Sequence, residues 1–339
     1  MNRPGLILGV DRIQDQVALA SRAEAAGFGS VWTTEFHNRN GLVRLAAVAA
    51  ATSHVKVGTG IAYAYMRAPA LNAAAAMDVD EISGGRMILG LGSGTRSMNE
   101  QWYGVPFEPR SAPKMKECAA LIRRHFAAAA AGGGAIRFDG EFYKIRIPAF
   151  SRPYAARTSI PIYFAAVQPG MLRAAGEVAD GLFGHMIFTR RYLRDVVWPN
   201  LEIGFARAKR SRTGFDLAGN LIVSVSDDRE QALAEAKAQI AFYATAKSYE
   251  GIFALSGWQE RKRAIDEAFR GFDYRKMAAC VSDEMVEEIA IVGTPSECRD
   301  QLARWRGLID TPVLYAPVVG VSPERVLENS RRIVETFGQ

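Results

Sequence analysis

Short apolar runs bounded by turn residues alternate with amphipathic stretches along nearly the whole chain, and this rhythm restricts it to folds whose strands are joined through helices. Residues 6–10 read as a strand, and Ile13, Val17, Ala20 and Ala23 then share one helical face that Gly27 closes. Residues 30–33, 55–61 and 87–91 follow as strands, with helices at 42–52 and 70–82 between them. A helix carrying Met115, Cys118, Ile122 and Phe126 on one face ends in the small residues 127–134. Residues 136–145 place Asp139-Gly140 between two alternating runs, the signature of a hairpin. The rhythm then resumes with strands at 160–165, 181–185, 220–226 and 311–317. Thr294-Pro295-Ser296-Glu297 forms a capping box with proline at the first helical position, and Ser322-Pro323 opens the last helix. Eight strands and no polar linker between halves predict one (β/α)8 TIM barrel domain over residues 1–339 rather than a doubly wound sheet. A small β-excursion follows the fourth strand, and an aromatic-rich helical insertion at about 248–290 follows the seventh, its residues 248–283 read as a mobile lid over the strand ends.

Composition narrows the function classes. Apolar residues make up 49% and charged residues 23% of the chain, which excludes a disordered or fibrous protein. Lys and Arg outnumber Asp and Glu by 42 to 36, a net charge of +6, but the basic residues are scattered, so no nucleic-acid partner is expected. Cys118, Cys280 and Cys298 stand far apart, suggesting neither a disulfide framework nor a metal site, and they fit a reducing cytoplasm. Asp11 and Arg12 interrupt the start before any signal-like apolar run, and no segment suggests a membrane partner.

Barrel sites lie at the carboxyl ends of the strands, and four of these ends are unusual. After the second strand, residues 33–41 hold Glu35 and His37, candidates for proton transfer or ligand hydrogen bonding, or members of a solvated loop. The third strand ends Gly58-Thr59-Gly60-Ile61, glycines that mark either close backbone approach to a ligand or tight packing. After the fourth, Gly90-Leu91-Gly92-Ser93-Gly94-Thr95 runs on to Asn99; it lacks the features of a dinucleotide fingerprint or a Walker loop and reads as a ligand-facing loop or a surface turn. After the fifth, Ala165-Ala166-Val167-Gln168-Pro169-Gly170 leads into a helix whose backbone N–H groups suit a phosphate, or it is an ordinary turn.

Taken together, the segments RAEAAGFGSVWTTE, KVGTGIAYAYMRAP, SGGRMILGLGSGT and AAVQPGMLRAAGEVADGLFGH resemble the luciferase-like flavin and deazaflavin oxidoreductase superfamily, and within it the coenzyme F420-dependent branch. The resemblance implies a TIM barrel with a non-proline cis peptide at Gly60-Ile61 pressing on the cofactor ring. It implies that Gly92, Ser93, Gly94, Thr95 and Asn99 lie along that ring and its hydroxyls, with Ala166, Val167, Gln168, Pro169 and Gly170 near its phosphate. Glu35 is followed by Phe36 where many members place histidine, and Thr95 stands where the sugar-phosphate dehydrogenases of the family place glutamate, so their substrate does not carry over. The expected activity is hydride transfer between F420 and a small apolar organic substrate, with an FMN-dependent monooxygenase or a non-catalytic flavin-binding protein as alternatives. A homodimer and a separate cofactor-reducing enzyme are the partners such a protein would take.

Overall fold

The computed structural model describes residues 1–339. In chain order its strands are β1 (Gly5–Ile7), β2 (Ser30–Thr33), β3 (Lys56–Thr59), β4 (Ala62–Tyr63), β5 (Met87–Gly92), β6 (Gly134–Asp139), β7 (Lys144–Phe150), β8 (Ile162–Ala165), β9 (Gly181–Gly184), β10 (Asp216–Val225), β11 (Ala290–Gly293) and β12 (Thr311–Tyr315). Strands β1, β2, β3, β5, β8, β9, β10 and β12 are the eight strands of a (β/α)8 barrel, each reached from the last through at least one helix. No helix is long and apolar enough to cross a membrane.

The chain divides into two compact units. The first comprises Ser30–Phe183 and Asn200–Asp216. Its strands run in the order β2-β3-β5-β8-β9, all parallel, with Trp32 opposite Gly58, Gly90 opposite Tyr163, and Tyr163 opposite Gly181. These strands are short, apolar and covered on both faces, as parallel strands must be. Trp32 fills the interior, its ring 4.8 Å from that of Phe183 and 6.0 Å from that of Tyr163. Beyond β3 the chain passes Gly60-Ile61 and resumes as β4 against the end of β5, pairing Tyr63 with Gly92.

The expected hairpin is present as antiparallel β6 and β7, but its turn is longer than an Asp139-Gly140 reversal, because Asp139 is still paired with Lys144. The cause lies on the neighbouring helix, Ser111–Ala130. The Glu117 carboxylate accepts from the backbone N–H groups of Glu141, Phe142 and Tyr143 at 2.7, 2.9 and 3.2 Å, so a side chain distant in sequence satisfies the turn.

The second unit comprises Met1–Gly29, Gly184–Pro199 and Leu217–Gln339, with strands in the order β11-β10-β12-β1. Strand β10 begins at Asp216, four residues before the expected start at 220. Gly219 is not a strand end but a point of close packing, where a Cβ would lie 2.6 Å from Ile309 Cγ2. Strand β11 was not expected. It follows the helix Asp283–Ile289 without a loop, so no turn residue announces it. The insertion is helical, with Glu250–Leu255, Gln259–Arg270, Tyr274–Ala279 and Asp283–Ile289 as its helices. The Thr294 capping box forms as read, both reciprocal hydrogen bonds being present.

Candidate active site

In the first unit, the loops after β2, β3, β5 and β8 converge. The peptide bond between Gly60 and Ile61 is cis. Both glycine runs are shaped by packing within this cluster. A Cβ on Gly60 would meet the Phe183 ring at 2.7 Å, one on Gly90 would lie 2.0 Å from the Thr59 carbonyl oxygen, and one on Gly92 would lie 2.7 Å from Ile61 Cδ1. The third and fourth strand ends therefore interlock, and their glycines are required before any ligand is considered. Gly92 also faces Ala165 Cβ across an ordinary contact, which ties in the end of β8.

Past Gly92 the chain turns through Gly94 at φ 69° and forms a π-helical turn, Met98–Trp102. Asn99 is buried, and its Nδ2 donates to the carbonyls of Ser93 and Thr95 at 2.9 and 2.8 Å, which holds the loop closed. Its Oδ1 is buried with no partner. The Tyr103 hydroxyl is likewise buried and unpartnered, and burial, with the Glu35 carboxylate second, pushes its pKa up. The Tyr103 ring stands 5.6 Å from that of Tyr63.

Glu35 is ion-paired. Arg67 donates to both carboxylate oxygens, at 3.0 Å from Nη1 and by a shorter bond from Nη2, and the Tyr63 backbone N–H donates at 3.4 Å. The side chains are 7% and 18% exposed for Glu35 and Arg67, so the pair is largely desolvated. His37 stands apart from it, exposed, with its ring 4.5 Å from Phe36 and 5.5 Å from Trp102. Glu35 and His37 thus belong to different environments, and the imidazole does not touch the carboxylate's hydrogen-bond network. The helix Pro169–Val178 begins with no side-chain cap, and a Cβ on Gly170 would meet nothing within 4 Å.

Residues 1–311 match the model of the luciferase-like monooxygenase family. The chain belongs to that family. It is 32% identical to a 5,10-methylenetetrahydromethanopterin reductase of Archaeoglobus fulgidus, over 90% of each chain. It is 29% identical to a putative coenzyme F420-dependent oxidoreductase of Mycobacterium tuberculosis, over 88% of this chain and 89% of that one. The coenzyme F420-dependent tetrahydromethanopterin reductase of Methanopyrus kandleri superposes at a TM-score of 0.84 with 25% identity, over 99% of both chains. This luciferase-like chain is an oxidoreductase with the barrel of that reductase.

Three residues of the luciferase-like chain gave little sign of themselves in the sequence. Arg67 and Tyr103 lie in stretches whose neighbours drew attention, and only the burial of Glu35 shows that a cation was needed beside it. The third, His185, ends the GLFGH run and lies in the second unit just after β9. Its ring stands 4.3 Å from Tyr249, 5.0 Å from Tyr243 and 6.4 Å from Phe188. Its Nδ1 accepts from the Ile187 N–H at 3.4 Å, and burial lowers its pKa to about 3. Two aromatic residues, Tyr65 and Trp258, are core. The Tyr65 hydroxyl donates to the Ser111 carbonyl at 2.9 Å, and Trp258 packs on Phe253.

Proposed function

We propose that the protein binds coenzyme F420 and catalyses hydride transfer between it and a small, largely apolar organic substrate. The observation that carries this reading is the match over 99% of both chains to a reductase that depends on coenzyme F420. The residues present suit such a cofactor. Asn99 Oδ1 and the Tyr103 hydroxyl are buried polar atoms lacking partners, a costly state that hydrogen bonding to a polar ring relieves. The uncapped helix start at Gly170 has room for a phosphate.

When bound, the deazaflavin supplies the hydride-carrying ring, and the protein supplies its orientation. Gly60 and Ile61 would lie against the ring, with Gly92, Ser93, Gly94, Thr95 and Asn99 along its edge and Ala166, Val167, Gln168, Pro169 and Gly170 at its phosphate. Glu35, both of whose oxygens accept from Arg67, acts as a positioning residue that holds the guanidinium. Proton movement falls to His37, which is exposed and can exchange protons with solvent.

Titration of the purified protein with F420 and, separately, with FMN tests the reading. Tighter binding of F420 is expected; tighter binding of FMN would replace this function with that of an FMN-dependent monooxygenase. Bound reduced F420 that no candidate substrate oxidises in a single turnover would favour a non-catalytic binding protein.

A further inference from the structure

In the second unit the helices Gln259–Arg270 and Tyr274–Ala279 pack against each other, and every residue from 269 to 276, around the turn between them, is exposed. The first helix ends with the Phe272 N–H donating to the Phe269 carbonyl and the Asp273 N–H to the Ala268 carbonyl, both at 3.0 Å. This cap puts Phe272 in the left-handed region, at φ 56°. The same pair of bonds closes helices at Gly27 and Gly257, where glycine adopts that conformation without strain. Lys209, the other side chain in such a position, is polar. A phenylalanine there costs stability, and with 76% of Phe272 exposed no packing offsets the cost. Phe269 and Tyr274 beside it are 41% and 62% exposed. One such residue on a surface needs no explanation, but three within six positions at one convex turn do.

Charge says what covers them. The ion pairs of the first helix, Lys262 with Asp266 and Arg263 with Glu260, leave Arg270, Arg275 and Lys276 unpaired at the turn. Asp273, the one carboxylate between 269 and 276, is engaged in capping the second helix, accepting from the Lys276 N–H at 2.9 Å. The occupant is therefore anionic and receives apolar rings. A folded protein would need a pocket shaped to three rings on a convex turn, whereas a lipid headgroup layer deforms to admit them, and rings flanked by Lys and Arg are the composition suited to that layer. No helix of the chain crosses a membrane, but lying against its surface requires none that could. We propose that this turn docks the protein reversibly on an anionic lipid bilayer, with Phe269, Phe272 and Tyr274 entering the headgroup layer and Arg270, Arg275 and Lys276 meeting its phosphates.

The test sediments the full-length protein with vesicles of phosphatidylglycerol mixed with phosphatidylcholine and, separately, with vesicles of phosphatidylcholine alone. The wild type should partition to the anionic vesicles and not to the neutral ones, and added salt should release it. Phe272→Gly should weaken partitioning by roughly tenfold, the worth of one ring leaving water, while its urea midpoint stays at or above that of the wild type. Phe272→Asn, which also suits a positive φ, should repeat that loss. Arg275→Gln with Lys276→Gln should weaken partitioning by about fivefold for each charge removed. A wild type that stays in solution with anionic vesicles, or that binds neutral vesicles equally well, would overturn the proposal. So would undiminished partitioning in Phe272→Gly. Sedimentation velocity without lipid supplies the last outcome: a self-associated wild type that Phe272→Gly makes monomeric would assign the turn to a second copy of the chain and overturn the lipid reading.

Discussion

A methyl group added at Gly90 would lie 2.0 Å from a backbone oxygen, that of Thr59, which no side-chain rotation relieves. Gly90→Ala should therefore destabilise the protein by about 3 kcal/mol, the upper end of overpacking costs, seen as a lower midpoint in urea unfolding. Gly170→Ala makes the contrasting case, since its Cβ meets nothing within 4 Å. Stability should stay within about 0.5 kcal/mol. A bulky Gly170→Trp should weaken F420 binding with the fold intact, and an unchanged dissociation constant would remove the phosphate site from this helix start. Glu35 gives a third test. Glu35→Gln leaves the Arg67 guanidinium, 18% exposed, without its counter-charge. The expected loss is about 1–3 kcal/mol, less than for a fully buried pair because Arg67 retains some solvent. Glu35→Gln combined with Arg67→Met should recover much of it; additive losses would show that the two side chains act independently.

At the scale of elements, strands with turn residues at their ends were legible, and those set by distant packing were not. Strand β2 falls at residues 30–33 as read, and the helix Pro323–Phe337 opens at its Ser-Pro signal, because local caps and turns specify both. The start of β10 was obscured by Gly219, whose reason is Ile309, and the hairpin turn by Glu117, more than twenty residues away. At the site, the glycine loops and Glu35 were visible as residues. The role of those glycines in seating Thr59, Ile61 and Phe183 depends on neighbours that sequence spacing does not reveal. The aromatic insertion illustrates the same limit. Phe253 and Trp258 are buried, whereas Phe269, Phe272 and Tyr274 are exposed, so one composition serves both core and surface. A lid would slow hydrogen exchange throughout the insertion when ligands bind. The burial of Ile252, Phe253, Ile265 and Met277 predicts instead that the helices are protected from the outset. Added protection when cofactor and substrate bind should be confined to the turn Lys247–Tyr249, which, unlike those helices, has no buried residue. Slowing spread evenly over residues 250–279 would restore the lid.

The stability of the whole molecule should carry the mark of one imidazole. Burial among Phe188, Tyr243 and Tyr249 lowers the His185 pKa from 6.5 to about 3, so the unfolded chain takes up this proton more readily than the folded one. Where the unfolded state binds more protons, stability rises with pH. The contribution of His185 is thus complete above about pH 6.5, declines as pH falls below it, and is exhausted near pH 3. The rings around it carry no charge in that range and cannot offset the effect. Other acid-sensitive groups, such as Asp283 paired with Lys237, whose pKa is lowered by that bond, also lose stability in acid, but they are common to wild type and variant and cancel in the difference. Urea unfolding at intervals from pH 7 to pH 3.5 should therefore show a steeper loss in the wild type than in His185→Phe, with the gap between the curves opening below about pH 6.5. Parallel curves would mean that the folded imidazole protonates as it does in water.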